Sequence, residues 1–464
     1  MISTDSRPTR DAGTSRLLSG WGRTGATAAR VVMPTEHNEV CELLVAAGEG
    51  RGAIARGLGR SYGDAAQCAG GTVIATDRLD DVGPVGEEGT VTVGGGASLQ
   101  QVMTETLPKG WWVPVTPGTR QVTVGGAVAA DIHGKNHHVD GSFCQHVTSL
   151  TLATPVGLRT VGPDRDPELF WATAGGMGLT GVVVQAVLRL VPVETSWMLV
   201  DTERFAGVEA AMATMAASDD RFRYSVAWVD ASLGPRHGRT VLTRGDHAPR
   251  SALASVMTPF SALPDRPSVR IPFAPQRNVV GAAATLGLSE LWSRRSPRRR
   301  GELKPIGSYF HPLDRVGTWN LLYGPSGMVQ YQYVVGTAAA GVVLETLELL
   351  GRHRVPSSLA VLKRFGAGDP GPLSFPMAGW TLALDFPAGH PRLAPLLASL
   401  DEMVIEAGGR VYLAKDSRLP SALLRIMYPR LEELAAVRKA IDPDAVLRSD
   451  LSRRLGLVGD GSTR

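Results

Sequence analysis

The sequence predicts a mixed α+β chain of two or three domains, and three observations carry that prediction. The chain has 464 residues, where a single domain takes about 150. Up to about residue 197, short β-like runs are separated by glycine-rich turns. Beyond that point longer helical patches alternate with isolated β runs. Hydrophobic residues at 43% and charged residues at 20% exclude wholesale disorder. The 54 glycines follow no three-residue period, so collagen is excluded and tight turns are expected. A net charge of +4 suits anionic partners without choosing among nucleotides, lipid phosphates and a membrane surface. Cys41, Cys68 and Cys144, with no CxxC, support neither a disulfide framework nor a zinc ribbon. Residues 1–16 lack the apolar core of a signal peptide. No run reaches the ~18 apolar residues of a membrane span, so a soluble or peripheral protein is expected.

Taken in order, residues 1–20 read as a flexible tail. Pro34-Thr35 opens a helix with Val40, Leu43, Leu44 and Ala47 on one face. β runs follow at 53–55, 72–75 and 90–93, then a helix over 98–107. After the densest glycine region, 116–141, segments 147–152 and 158–161 read as a hairpin around Pro155-Val156-Gly157. Asp166-Pro167-Glu168 starts a short helix ending at Gly175-Gly176, and an alternating strand over 182–193 closes this half. Further helices are expected at 205–215, 283–292, 344–350, 395–407 and 431–441. β runs are expected at 224–229, 330–335 and 381–386. Residues 260–305 carry proline, arginine and little pattern. They read as a mobile solvated loop, with an anionic-lipid docking patch at 294–300 as the alternative.

Three segments can carry chemistry. The first is Arg56-Gly57-Leu58-Gly59-Arg60-Ser61-Tyr62-Gly63-Asp64, directly after a β run. Its glycines let backbone N–H groups approach a pyrophosphate, although a ligand-free glycine hairpin would read the same. The second runs from Pro117-Gly118-Thr119 to His138. Small residues there let a flat ligand lie on the backbone, with His133 and Lys135 at one end. A metal at His133, His137 and His138 is disfavoured, because Gly134 and Asn136 break the helix that His-x3-His requires. The third is Val411-Tyr412-Leu413-Ala414-Lys415-Asp416, read as a strand. Only six lysines occur (109, 135, 304, 363, 415 and 439), so Lys415 is either a snorkelling surface residue or a placed charge. Gly176-Met177-Gly178-Leu179-Thr180-Gly181 fits GxGxxG but follows a helix and precedes a strand, which rejects a Rossmann fingerprint. There is no G-x-S-x-G elbow, Walker A loop or HExxH. Nucleic-acid modules are absent, and the basic run lacks interleaved aromatics.

RGLGRSYGD, TPGTRQVTVGGAVAADIHGKNHH, AGGMGLTG and the closing YLAKD segment occur in the order of a known family. Together they resemble the FAD-linked oxidases of the vanillyl-alcohol-oxidase type. DIHGKNHH with VLKRFG, VQYQYV and YLAKD is similar, more specifically, to the branch that oxidises a polyprenylphosphoryl ribose at C2'. The resemblance spans about residues 21–455. It implies a two-domain fold: an FAD domain over 21–197, completed by 411–464, and an antiparallel-sheet substrate domain over 198–410.

Carried onto this sequence, the resemblance implies FAD contacts from Arg56, Gly57, Leu58, Gly59, Arg60, Ser61, Tyr62 and Gly63. It adds Pro117, Gly118, Thr119, Val122, Gly125, Gly126, Ala129, Ile132 and His133, then Gly178, Val182, Tyr412 and Lys415. His133, Lys135, Trp228, Gln330, Gln332, Lys363, Phe365, Ala383 and Lys415 would line the sugar pocket. Lys415 is assigned the charge at the flavin's pyrimidine edge, and Tyr62 or His133 the base; a structural hydrogen bond is the alternative for His133. Arg60 stands where many relatives attach FAD through histidine, so non-covalent FAD is expected, and no metal. Ala383 replaces a cysteine that nitroaromatic inhibitors attack, so loss of that inactivation is expected with activity kept. The implied partners are the lipid-linked ribose, an NAD(P)H-dependent reductase subunit that completes an epimerisation for cell-wall arabinan, and quinone or oxygen as electron acceptor. Family resemblance also allows a periplasmic placement beside the cytoplasmic or inner-membrane one. The rival readings are an FAD-linked alditol or aldonolactone oxidase and a catalytically silent partner-binding subunit.

Overall fold

The computed structural model describes residues 13–234, 237–255, 257–263 and 267–458. Near the N-terminus lies a four-stranded sheet in the order Thr14–Ser19, Ala26–Val32, Thr72–Ala75, Ala53–Arg56. Of the expected tail, residues 1–12 lie outside the described residues, whereas Thr14–Ser19 is a strand paired antiparallel with Ala26–Val32. A five-stranded antiparallel sheet follows, ordered Val82–Val85, Thr90–Gly94, Val182–Arg189, Val147–Thr154, Gly157–Val161. Its last two strands are the expected hairpin. Helix His37–Ala47 seals the seam between the two sheets. Its Val40 and Leu44 share a core with Val32 and Ile74 of one and Val182 and Val184 of the other. Helix Pro167–Thr173 precedes strand Val182–Arg189, the helix-then-strand order that is incompatible with a Rossmann turn.

The second half is built on an eight-stranded antiparallel sheet. Its order is Arg299–Pro305, Trp197–Phe205, Thr240–His247, Tyr224–Val229, Leu359–Phe365, Gly379–Pro387, Met328–Gly336, Arg410–Val411. Strand alternation sorts its side chains into two classes. Ala227, Tyr333, Leu362, Leu382 and Leu384 face a core shared with Met212, Met215, Val343, Leu347, Leu396 and Leu400. Those partners lie on helices Val208–Ser218, Gly341–His353 and Leu393–Glu406. The other face is polar: Gln332, Ala383, Val361 and Trp228 lie opposite one another across four strands, with Gln330 opposite Asp385 beside them.

The expected helices and β runs of this half are present, but four strands were unread, Leu359–Phe365 among them. Trp197–Phe205 carries charged residues at Asp201, Glu203 and Arg204, and Thr240–His247 buries a charged one, Arg244, on the same side as the core residue Leu242, so neither reads as an apolar run. Residues 260–305 contain a helix, Ala282–Arg295, and the edge strand Arg299–Pro305 paired with Trp197–Phe205, rather than one unpatterned loop.

The C-terminal segment ties both halves together. Strand Arg410–Val411 pairs with Met328–Gly336, after which Ala414 O accepts from Tyr62 N at 2.9 Å. Further on, Ala53 N donates to Val446 O and Arg448 N to Ala53 O, each at 2.8 Å. Arg454 grips both Asp64 oxygens (2.9 and 2.8 Å) and Asp416 (2.9 Å).

Candidate active site

Lys415 is on a turn, not the expected strand: Gln332 O takes Tyr412 N, and Lys415 N then folds back onto Tyr412 O at 2.9 Å. This turn sets the ammonium over the Tyr62 ring, 4.1 Å from its centroid. Segment 131–138 is laid against the polar sheet face by three contacts. Ser225 N donates to Lys135 O at 2.8 Å, the Gln332 amide meets His133 Nε2 at 2.9 Å, and Gly366 N donates to His137 Nδ1 at 3.2 Å. The Tyr412 hydroxyl adds a bond to Ala130 O at 2.7 Å.

His133, Lys135, Lys363, Lys415, Gln330, Gln332, Ala383, Phe365 and Trp228 thereby collect around one crevice. Lys135, Lys363 and Lys415 are enclosed by protein yet retain some solvent-accessible surface, as do Ala383 and Trp228. Burial pulls Lys135 down to about 7, reinforced by Lys363 and Lys304, and pulls Lys363 down to about 8. Burial also pulls Lys415 down to about 8, against the opposing pull of Asp385. Lys135 donates to Tyr309 O and sits over the Tyr309 ring at 4.3 Å. Among the described residues, the ammonium groups of Lys363 and Lys415 have no hydrogen-bond or ion-pair partner.

His133 is boxed by Phe365, Tyr412 and Phe375, with ring centroids at 4.8, 5.1 and 5.6 Å. Burial and the charges of Lys363, His137 and Lys415 hold its imidazole well below the usual histidine range, so it is neutral. The Gln332 amide nitrogen, which also donates to Thr381 Oγ1 at 3.1 Å, assigns Nε2 as the acceptor. The ring proton is then on Nδ1, a buried atom without a partner among the described residues. His137 and His138 turn elsewhere, to Ser142 Oγ and to the Asp219 and Phe222 carbonyls.

Asp385 was not singled out from the sequence. It faces the crevice from the centre of the sheet, accepts from the Gln330 amide, and leaves Oδ2 without a partner among the described residues. Burial pushes its carboxyl up to about 7, although Gln330 and Lys415 oppose the shift. Its signal was a lone acid on the same side as Thr381 and Ala383, opposite Leu382, Leu384 and Phe386. The Tyr62 phenol is held well above 10 by burial, Asp385 and Tyr323.

The first glycine loop reaches the site through Tyr62, under the Lys415 ammonium. Gly118 and Gly126 are exposed, and Gly57, Gly59, Gly125 and Ala129 are partly so. A Cβ on Gly126 would come 3.0 Å from Thr123 Oγ1, whereas one on Gly118 would meet nothing within 4 Å. Leu58 is exposed, and Pro117, Thr119, Val122, Ser61 and Arg60 are partly exposed. Other predicted contacts serve the scaffold. Arg56 donates to Ser19 O (2.8 Å) and Ala66 O (3.0 Å), and Arg60 donates to Gln121 O (2.9 Å) while lying over Trp21. Gly63 lies against the Asp416 carbonyl, and Ile132, Gly178 and Val182 are buried. Exposed small residues over 118–129, with the Lys415 ammonium over Tyr62 at the end of the other glycine loop, suit a flat, anionic ligand such as FAD.

Comparison with known proteins agrees. Residues 28–161 match an FAD binding domain. The decaprenylphosphoryl-β-D-ribose oxidase of Mycolicibacterium smegmatis is 42% identical over 98% of this chain and 100% of its own length. An uncharacterised protein of Streptomyces coelicolor is 41% identical over 78% of this chain and its whole length. The L-gulono-1,4-lactone dehydrogenase of Mycobacterium tuberculosis is 24% identical over 95% of this chain and 99% of its own.

Proposed function

The chain belongs to the family of decaprenylphosphoryl-β-D-ribose oxidases, and from that premise we propose that it oxidises the C2' hydroxyl of a polyprenylphosphoryl ribose to the 2-keto sugar. The observation that carries this reading is the full-length similarity joined to a crevice of three lysines, His133 and Asp385 beside the FAD-binding segment. Full-length identity of 42% to the ribose oxidase, against 24% to the lactone dehydrogenase, favours it over an aldonolactone substrate.

FAD would be held non-covalently by the 57–62 loop, the 117–129 segment, Tyr412 and Lys415. When bound, it supplies the two-electron acceptor for the hydride leaving C2'. The chain's own work is to hold the sugar and manage the hydroxyl proton. Lys135 and Lys363 supply positive charge suited to the substrate phosphate and hydroxyls. Neutral His133, boxed by aromatic rings and bonded to Gln332, positions the 131–138 segment against the sheet, and the Tyr62 phenol, held protonated, is a donor. These states favour Lys415 and Asp385 as the route for the proton. Lys415 and the carboxylate of Asp385, which feel each other's charge, together take it up from the 2'-hydroxyl. The ketone then leaves for an NAD(P)H-dependent reductase subunit, and a quinone or oxygen takes up the electrons.

Anaerobic addition of a polyprenylphosphoryl ribose should bleach the visible flavin bands and yield the keto sugar. Lys415→Met should retain FAD and slow the bleaching by about 100-fold or more, the usual cost of removing a preorganised charge at the reacting oxygen. Bleaching by L-gulonolactone but not by the lipid-linked ribose would overturn the assignment.

A further inference from the structure

Helix Ala282–Arg295 is inside out. It buries Thr285, Ser289 and Ser293, small polar residues four apart, against the sheet. Outward it presents Leu288 and Leu291, 53% and 45% exposed; Leu286 and Trp292, 43% and 42% exposed, border that face while lying against Gly234 and Trp228, and Phe273 of the preceding segment is 72% exposed. The anchoring contacts are polar: Arg204 donates to Ser293 Oγ at 2.8 Å, and Arg239 pairs with Glu290 at 3.3 Å. A soluble helix held by its serines leaves its leucines in water, which costs free energy unless something covers them. The charge beside them indicates what does. Arg294, Arg295 and Arg298–Arg300 are exposed and continue directly from the helix. Residues 282–305 hold six basic side chains and two acidic ones, a local excess equal to that of the whole chain.

We propose that this helix and its arginine-rich continuation dock the protein on an anionic bilayer surface. The leucines and Trp292 would enter the acyl boundary while the arginines meet lipid phosphates. Among the described residues no helix is long and apolar enough to cross a membrane, so the attachment is peripheral. Trp292 lies 6.1 Å from Trp228 by ring centroids, so the docked face adjoins the mouth of the crevice. The inference rests on the helix's exposed face, not on the substrate, and is tested without substrate.

The full chain, loaded with FAD, is floated with vesicles of phosphatidylcholine alone or mixed equally with phosphatidylglycerol. Flotation is expected with the anionic vesicles only and should weaken as salt rises. Arg298→Ala/Arg299→Ala/Arg300→Ala should lower partitioning about a hundredfold, at roughly a factor of five per arginine. Leu288→Glu/Leu291→Glu should abolish it, with the flavin spectrum reporting that the fold is intact. Without any variant, vesicles of brominated lipid should quench part of the tryptophan emission, and Trp292→Phe should remove that part. Failure of the wild-type protein to float on anionic vesicles overturns the proposal and leaves the face to a protein partner. Flotation that survives both sets of substitutions overturns it as well.

Discussion

At the residue scale the proposed chemistry rests on two groups whose ordinary charge states are strained in opposite directions. Burial raises Asp385 to about 7 and lowers Lys415 to about 8. A relay that needs the carboxylate fails as pH falls through about 7, and one that needs the ammonium fails as pH rises through about 8. The rate of flavin bleaching should therefore peak between those values and fall on either side. Asp385→Asn should slow bleaching and remove the acid limb; a variant that keeps both limbs would take Asp385 out of the relay. Ala383 makes a second prediction. It lies half-buried between Gln332 and Val361 on the polar face, where a thiol would look into the crevice. The wild-type protein should resist covalent inactivation by nitroaromatic compounds, and Ala383→Cys should acquire it, detected as an adduct by intact-mass spectrometry.

At the element scale, two turns brought close together hold the site. Tyr62 N bonds to Ala414 O, and Gly63 packs directly on the Asp416 carbonyl with no room for a Cβ. Gly63→Ala should push the 57–64 loop off the C-terminal turn at a cost of about 1–3 kcal/mol, the range for overpacking. The expected readouts are a lower melting temperature and easier loss of FAD on gel filtration. An unchanged melting temperature would mean that the two turns are not coupled. These elements were unequally legible in the sequence. Strand 381–386 was readable because apolar residues alternate with small or polar ones, and 330–335 because it is rich in β-branched and aromatic residues. Trp197–Phe205 was not, because Asp201 and Glu203 stand on its outward positions and its end was absorbed into the following helix. Lys415 was read as part of a strand, since nothing local says that pairing stops at Val411. Asp385 was passed over as part of an apolar motif, and only pairing with Gln330 brings out its position.

At the scale of the whole molecule, the order of motifs along the chain was legible, but the way they meet was not. Segments near 60, 133, 332, 363 and 415 converge because the C-terminal segment first pairs with the large sheet and then returns to the N-terminal one. Such long-range closure leaves no local periodicity to read. It also brings the sheet's Gln332 against His133 and its Ser225 against Lys135. The central claim, that hydride leaves C2' of a lipid-linked ribose, is tested most directly by anaerobic stopped-flow bleaching with a substrate deuterated at that carbon. Bleaching should be severalfold slower than with the protiated substrate, with no such slowing for deuterium at C3'. Bleaching that is indifferent to deuterium at C2' but slowed by it at C3', or no bleaching at all, would contradict it.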